Sequence, residues 1–188
     1  MKKFLLPMLA SCALVFSGAS AQPARTQPAP TQPALSRPAS TQPAPLRVVV
    51  FLSPECPLCQ NYSLPLNDLQ KKYAGKVEFE GVVPGKAYSS TDVKAFTDKY
   101  HIAFPISIDS AKTLTRSLKA TITPEVYLLG PKKEMLYHGS IDNWIKDLGM
   151  QSARPTAFYL KDAIDQTLTH QPVRIPYNKP VGCLINDY

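Results

Sequence analysis

Five consecutive apolar residues, Val48-Val49-Val50-Phe51-Leu52, run into Ser53-Pro54-Glu55 and then Cys56-Pro57-Leu58-Cys59. A strand that is apolar on both faces has to be buried on both, so Leu46–Leu52 belongs inside a sheet covered by helices. The cysteine pair then stands at the end of a buried strand. Pro57 suits the first position of a helix, where no N–H donor is needed and its fixed φ is already helical. If a helix starts there, the two thiols share one side of its first turn. Cys56 then faces unpaired N–H groups and the positive end of the helix dipole. That setting favours thiolate over thiol, and the thiolate is the attacking species in disulfide exchange. A structural disulfide or half a zinc site is the competing reading. A zinc site takes about four ligands, and the chain has no second CxxC and no HxxxH.

The beginning of the chain sets the expected compartment. Lys2-Lys3, the apolar stretch Phe4 to Phe16 and then Gly18-Ala19-Ser20-Ala21 read as a secretory signal, residues 1–21, with an A-x-A cleavage site. The stretch is too short for a convincing membrane span. The expectation is an exported protein, periplasmic or extracellular, where disulfides persist. Leu9-Ala10-Ser11-Cys12 also has the form of a lipoprotein box, and membrane contact is expected only if Cys12 is lipidated. Apolar residues that continue past Cys12 favour simple cleavage after Ala21. Residues 22–45 repeat a pentad, Thr26-Gln-Pro-Ala-Pro, Thr31-Gln-Pro-Ala-Leu, Ser36-Arg-Pro-Ala-Ser and Thr41-Gln-Pro-Ala-Pro. With a proline in every pentad and almost no large apolar residue, this segment cannot build a core. It reads as a disordered, partly polyproline II linker, either a passive spacer or a docking motif.

Residues 46–188 are expected to form one domain of ordinary size. The chain's net charge of +7 falls to a surplus of three there, 17 basic residues against 14 acidic, scattered rather than clustered. That excludes a nucleic-acid-binding signature. Periodicity and turn residues predict strands at Leu46–Leu52, Val77–Val83, Ile106–Ile108, Glu125–Leu129 and Glu134–His138. Helices are predicted at Asn61–Tyr73, with a kink near Asn61–Leu64 from Pro65, at Ser89–Tyr100 behind a capping box, at Lys112–Leu118 and at Ala157–Thr169. The order β-α-β-α-β-α-β-β-α implies an α/β fold, a central mixed β-sheet flanked by helices.

The CxxC after the first strand, Thr123-Pro124 opening a later strand, a hairpin and a last helix resemble the thioredoxin fold over Leu46 to Leu168. The extra helix and strand between Val83 and Asp109, with Phe104-Pro105-Ile106, resemble the redoxin and peroxiredoxin-like (AhpC/TSA-type) branch and its exported thiol–disulfide oxidoreductases. Little of the usual leading β-α or β-hairpin precedes the motif strand. The resemblance implies that Cys56 is an exposed nucleophile and Cys59 a buried resolving thiol. It implies that Pro124 is a cis proline facing them, and that Thr123 and Pro57 lie on the client-binding side. No organic cofactor or metal is implied. The implied partners are a disulfide- or thiol-containing client protein and an electron-donor redox protein.

Some positions depart from the family pattern. Six residues before Cys56, where thioredoxins often carry a buried carboxylate, stands Val50, so the proton route to Cys59 is open to question. Glu55 precedes Cys56, and a neighbouring negative charge should raise the thiol's pKa. With no His between the cysteines, the reduced pair lacks special stabilisation, and a potential nearer thioredoxin's (about −270 mV) than that of the strongest oxidants (about −120 mV) is expected. Ser53 lies three residues before Cys56, as Ser or Thr does before a peroxidatic cysteine, so a thiol peroxidase using Cys56 is the first alternative. A copper-chaperone-like module is the second, although such proteins space their cysteines CxxxC and add a distant His. His101, His138 and His170 read as surface residues, and Trp144 in Asp142-Asn143-Trp144 as packing. Cys183, in Lys179-Pro-Val-Gly-Cys-Leu, is the odd thiol of the exported form. It reads either as a third redox thiol or as a small buried residue.

Overall fold

The computed structural model describes residues 45–186. The expected signal, Cys12 and nearly all of the pentad linker lie outside the described residues. From there the chain runs β1 (Leu46–Phe51), α1 (Pro57–Lys72), β2 (Val77–Pro84), α2 (Ser90–Lys99), β3 (Ile106–Asp109) and α3 (Thr113–Leu118). It continues through β4 (Ile122–Thr123), β5 (Glu125–Leu129), β6 (Met135–Gly139), β7 (Ile145–Asp147), β8 (Met150–Gln151), α4 (Tyr159–Leu168), β9 (Tyr177–Asn178) and β10 (Cys183–Leu184).

β1 lies within a six-stranded sheet ordered β3-β2-β1-β5-β6-β9. It pairs parallel with β2 and antiparallel with β5, which makes the sheet mixed as the element order implied. The alternation of side chains along β1 splits its apolar run between two cores. Val48, Val50 and Leu52 join Leu66, Phe79, Leu128, Leu160 and Ile164. Val49 and Phe51 point the other way, to Val82, Tyr127 and Leu129, with Leu114 and Leu118 of α3 and Ile185 packed on them. Burying each such side chain is worth about 1.5–3 kcal/mol, which is why a run with no polar interruption marks this strand.

Two features differ from the expected elements. α1 begins at Pro57, four residues earlier than Asn61, and Pro65 lies inside it without interrupting it. Leu58, Cys59, Tyr62, Leu66 and Leu69 all pack into the first core, and this packing outweighs the missing proline donor. Five strands of two or three residues, β4 and β7 to β10, have no periodic signal to betray them. β9 reaches the sheet because Gly139, at φ +132°, has no Cβ, which would stand 1.8 Å from the Asn178 carbonyl oxygen. The capping box at Ser89 and Asp92 forms as expected. Among the described residues no helix is long and apolar enough to cross a membrane.

Candidate active site

The cysteine pair is positioned by a turn that ends β1. The Leu52 N–H still donates to Val82 O at 2.8 Å, and the Cys56 N–H then turns back to Ser53 O at 3.1 Å. Gln60 ties the turn down, its side chain donating to Pro54 O at 2.8 Å and its N–H to Cys56 O at 3.1 Å. Cys56 is therefore the N-cap of α1 in an extended conformation, with Pro57 at the first helical position. The opposite wall follows from sheet register. Phe51 at the end of β1 pairs with Glu125 at the start of β5, so the residues just before β5 meet those just after β1. Those residues are Thr123 and Pro124, joined by a cis peptide bond. Cys56 reaches Thr123 across 67 residues, its Sγ 3.2 Å from the Thr123 carbonyl oxygen, which accepts from the thiol when Cys56 is protonated.

A third wall comes from the end of the chain. β10 pairs antiparallel with β4, Cys183 opposite Thr123 and Leu184 opposite Ile122. The Thr123 hydroxyl donates to Cys183 O at 3.4 Å and Ile185 N–H to Thr121 O at 2.9 Å. Cys56, Cys59 and Cys183 thus converge, all three as free thiols. The expected exposed nucleophile is a buried one, because Cys56 is only 2% exposed and Cys59 fully enclosed. The Thr123-Pro124 turn and the Cys183 strand stand over Cys56, where solvent was expected.

The three thiols have different acidities. Cys56 is drawn down to about 5, first by a hydrogen bond from the Cys59 thiol, which outweighs the opposing effect of burial. The Cys183 thiol and the backbone N–H groups of Cys59 and Leu58 add to it, the last two being the free donors of the helix N-terminus. Cys59 is pushed well up by burial and by the neighbouring Cys56. Cys183 is pushed up to about 12, again by burial first and then by its bond to Cys56. The expectation that Glu55 would raise Cys56 fails. Glu55 is exposed and its carboxylate accepts from the Tyr88 hydroxyl at 3.3 Å, so water screens its charge.

The Ser53 hydroxyl donates to the Tyr88 hydroxyl at 3.1 Å, and only the Ser53 N–H faces the pair, at 3.4 Å from Cys59 Sγ. Val50 is fully buried in the first core, and the Thr123 hydroxyl is the side chain that reaches Cys59. Pro57 is exposed beside a groove of about 590 Å³ lined also by Leu58, Asn61, Met150 and Cys183. A second groove of about 550 Å³ runs past Ser53, Glu55, Tyr88 and Thr123 on the Leu184 side. Tyr88 gave no sign of its role, because nothing local links it to Ser53 35 residues away. Trp144 does pack, edge-on to Tyr62 at 5.5 Å. His138 is no free surface residue: its ring stacks on Tyr127, and Nδ1 is buried 3.8 Å from Glu125. Among the described residues no group of three or more His, Cys, Asp or Glu is arranged to hold a metal ion.

No curated protein matches the chain. Among solved structures it is similar to a hypothetical protein of Sinorhizobium meliloti 1021, at 23% identity and TM-score 0.64, covering 76% of this chain and 80% of that one. It is similar too to an uncharacterized conserved protein of Geobacillus kaustophilus, at 22% identity and TM-score 0.66, covering 77% and 78%. A thioredoxin-like protein solved in its oxidized form matches at 16% identity and TM-score 0.52, covering 68% and 80%. These likenesses establish the thioredoxin-like fold. The AhpC/TSA family matches residues 40–138, more than half of the chain, and with the CxxC helix facing a cis Thr-Pro it follows that the protein belongs to the AhpC/TSA family, on its thioredoxin-like redoxin branch.

Proposed function

We propose that the protein is an exported thiol–disulfide oxidoreductase that exchanges disulfides with protein clients, working on the reducing side. The observation that carries this reading is the division of labour in the CxxC pair. Cys56 sits where donors hold it as a thiolate at neutral pH, while enclosed Cys59 keeps its proton. The Cys56 thiolate attacks one sulfur of a client disulfide, that S–S bond breaks, and the other client sulfur leaves as a thiolate. Cys59 then loses its proton and attacks Cys56 Sγ. The second client sulfur leaves, so the client gains two electrons and the protein loses two, its thiol pair becoming the Cys56–Cys59 disulfide. The Thr123 hydroxyl stabilises the Cys59 thiolate by donating to it, and the proton Cys59 gives up goes to the departing client thiolate, no carboxylate standing where Val50 is. An electron-donor redox protein restores the dithiol. Export rests on the signal read in residues 1–21.

Trapping tests the reading. In the Cys59→Ser/Cys183→Ser double variant, Cys56 is left alone of the three and should hold clients as mixed disulfides. Cys56→Ser should hold none, and an empty result from the double variant would overturn the proposal. The peroxidase alternative draws on the family itself. The Ser53 hydroxyl, committed to Tyr88, argues against it. Stopped-flow mixing with hydrogen peroxide is expected to give a rate near that of an ordinary thiolate; fast sulfenic acid formation would favour the peroxidase.

A further inference from the structure

The CxxC chemistry needs two thiols, yet a third is held against the attacking sulfur by architecture that has no other purpose in that scheme. Val181 and Gly182 bring the chain so close to β4 that a Cβ on Gly182 would stand 2.2 Å from the Thr123 carbonyl oxygen. Only glycine allows that approach, and the next residue is Cys183. Strand pairing then sets Cys183 opposite Thr123, whose carbonyl oxygen lies 3.2 Å from Cys56 Sγ. The Thr123 hydroxyl in turn donates to the Cys183 carbonyl oxygen at 3.4 Å, and Cys183 is near enough to Cys56 for the two thiols to shift one another's acidity. Cys59 is fully enclosed, whereas Cys183 is half-buried and lines the open groove beside Pro57 and Leu58.

We propose that Cys183 is a second resolving thiol, which takes the disulfide from Cys59 and carries it to the surface as a Cys56–Cys183 bond. The inference rests on the oxidoreductase reading above. Starting from the Cys56–Cys59 disulfide, the Cys183 thiolate attacks Cys56 Sγ. The bond to Cys59 breaks as the Cys56–Cys183 bond forms, and Cys59 leaves as a thiolate that takes up the proton Cys183 gave. One disulfide is present before and after, so no outside oxidant or reductant is consumed. Burial still opposes a charge on Cys183, but its attack becomes easier in the oxidised protein. Part of what holds the proton on Cys183 is the charge and hydrogen bond of the Cys56 thiolate, and both vanish once Cys56 is in a disulfide. The product presents a sulfur on the groove, where an electron donor's thiol can reach it. The buried Cys59 offers no such approach.

Mass mapping tests this on the full chain. Trypsin leaves Cys56 and Cys59 in one peptide, residues 48–71, and Cys183 in another, residues 175–188, so a bond to Cys183 joins two peptides. After treatment with a limiting amount of a disulfide oxidant, the wild-type protein should yield the joined peptides. Cys59→Ser should yield them almost completely, and Cys56→Ser should yield none. Gly182→Ala, which keeps all three thiols but moves β10 off β4, should lower the yield several-fold. Restoring Cys183 to the Cys59→Ser/Cys183→Ser variant should release its trapped clients, with the joined peptides appearing in step. If Cys59→Ser instead keeps Cys56 and Cys183 as separate thiols while still trapping clients, the inference fails and the oxidoreductase reading survives. If the double variant traps no client, it is the oxidoreductase reading that falls.

Discussion

At neutral pH Cys56 is a thiolate, and its donors come from different parts of the chain: its own helix, its partner Cys59 and the distant Cys183. Ultraviolet absorbance of the thiolate should titrate with a midpoint of about 5, and alkylation by iodoacetamide should follow it. Reactivity should be flat from mildly acidic to neutral pH and fall as pH drops through that midpoint. Cys183→Ala removes one donor and should move the midpoint upward. The same stabilisation shifts the redox poise. A thiolate with a pKa of about 5, against thioredoxin's of about 7, favours the reduced form by roughly 2 kcal/mol at neutral pH, or about 50 mV. The potential is then expected at about −220 mV, between thioredoxin at about −270 mV and protein disulfide isomerase at about −180 mV. Equilibration with glutathione measures it, and a value above the isomerase's would oppose a reducing role.

At the scale of elements, the short helix α3 depends on a residue outside it. Its own N-cap, Lys112, makes no side-chain cap and sits at φ 52°. Asp109 at the end of β3 does the capping, its carboxylate accepting from Thr113 N–H, Thr115 N–H and the Thr115 hydroxyl, each at 2.8 Å. Burial acts to raise the pKa of Asp109, but these hydrogen bonds outweigh it and the net direction is down. A carboxyl group lowered in the folded state adds stability above its unfolded value of about 3.9, and that stability is lost as pH falls through the folded value. Asp109→Ala should therefore cost about 0.5–2 kcal/mol in neutral urea unfolding. The difference from wild type should shrink in acid; a difference that stays constant with pH would argue against the charged cap. α3 carries Leu114 and Leu118 onto the second core, so the effect should spread to that face of the sheet.

Over the whole molecule, a buried hydrogen bond adds to the core packing that fastens the CxxC helix to the segment after β6. The Tyr62 hydroxyl donates to Asp142 Oδ1 at 2.6 Å across 80 residues, and Trp144 N–H donates to the same oxygen at 2.8 Å. Tyr62→Phe keeps the ring against Trp144 and removes one donor from a buried carboxylate. The expected loss is about 1.5–3 kcal/mol, the range for a hydrogen bond to a charged group. Denaturant unfolding checks this, and the Cys56 midpoint should stay in place because Tyr62 is not among its donors. A large shift in that midpoint would mean that the fastening also sets the thiol geometry.

Much of this was legible in the chain because it is local. The uninterrupted apolar run could only be a buried strand, Pro57 after Cys56 could open a helix, and Ser89-x-x-Asp92 had the spacing of a capping box. Thr123-Pro124 stood out only because a CxxC accompanied it, and β1–β5 pairing is what brings the two together. The remainder lies in contacts with no local trace. The burial of Cys56, the turning of Ser53 toward Tyr88, the exposure of Glu55 and the pairing of Cys183 with Thr123 each join segments 30 to 70 residues apart or depend on such a joint. A two-residue strand carries no periodicity, and a glycine before a cysteine announces a close approach only once the backbone it approaches is known. Local residue chemistry was enough for the strand, the helix start and the reactivity of a thiol pair. That three thiols, not two, meet at the end of β1 follows only from the β1–β5 and β4–β10 pairings, because register between distant strands is set by the packed core rather than by any one segment.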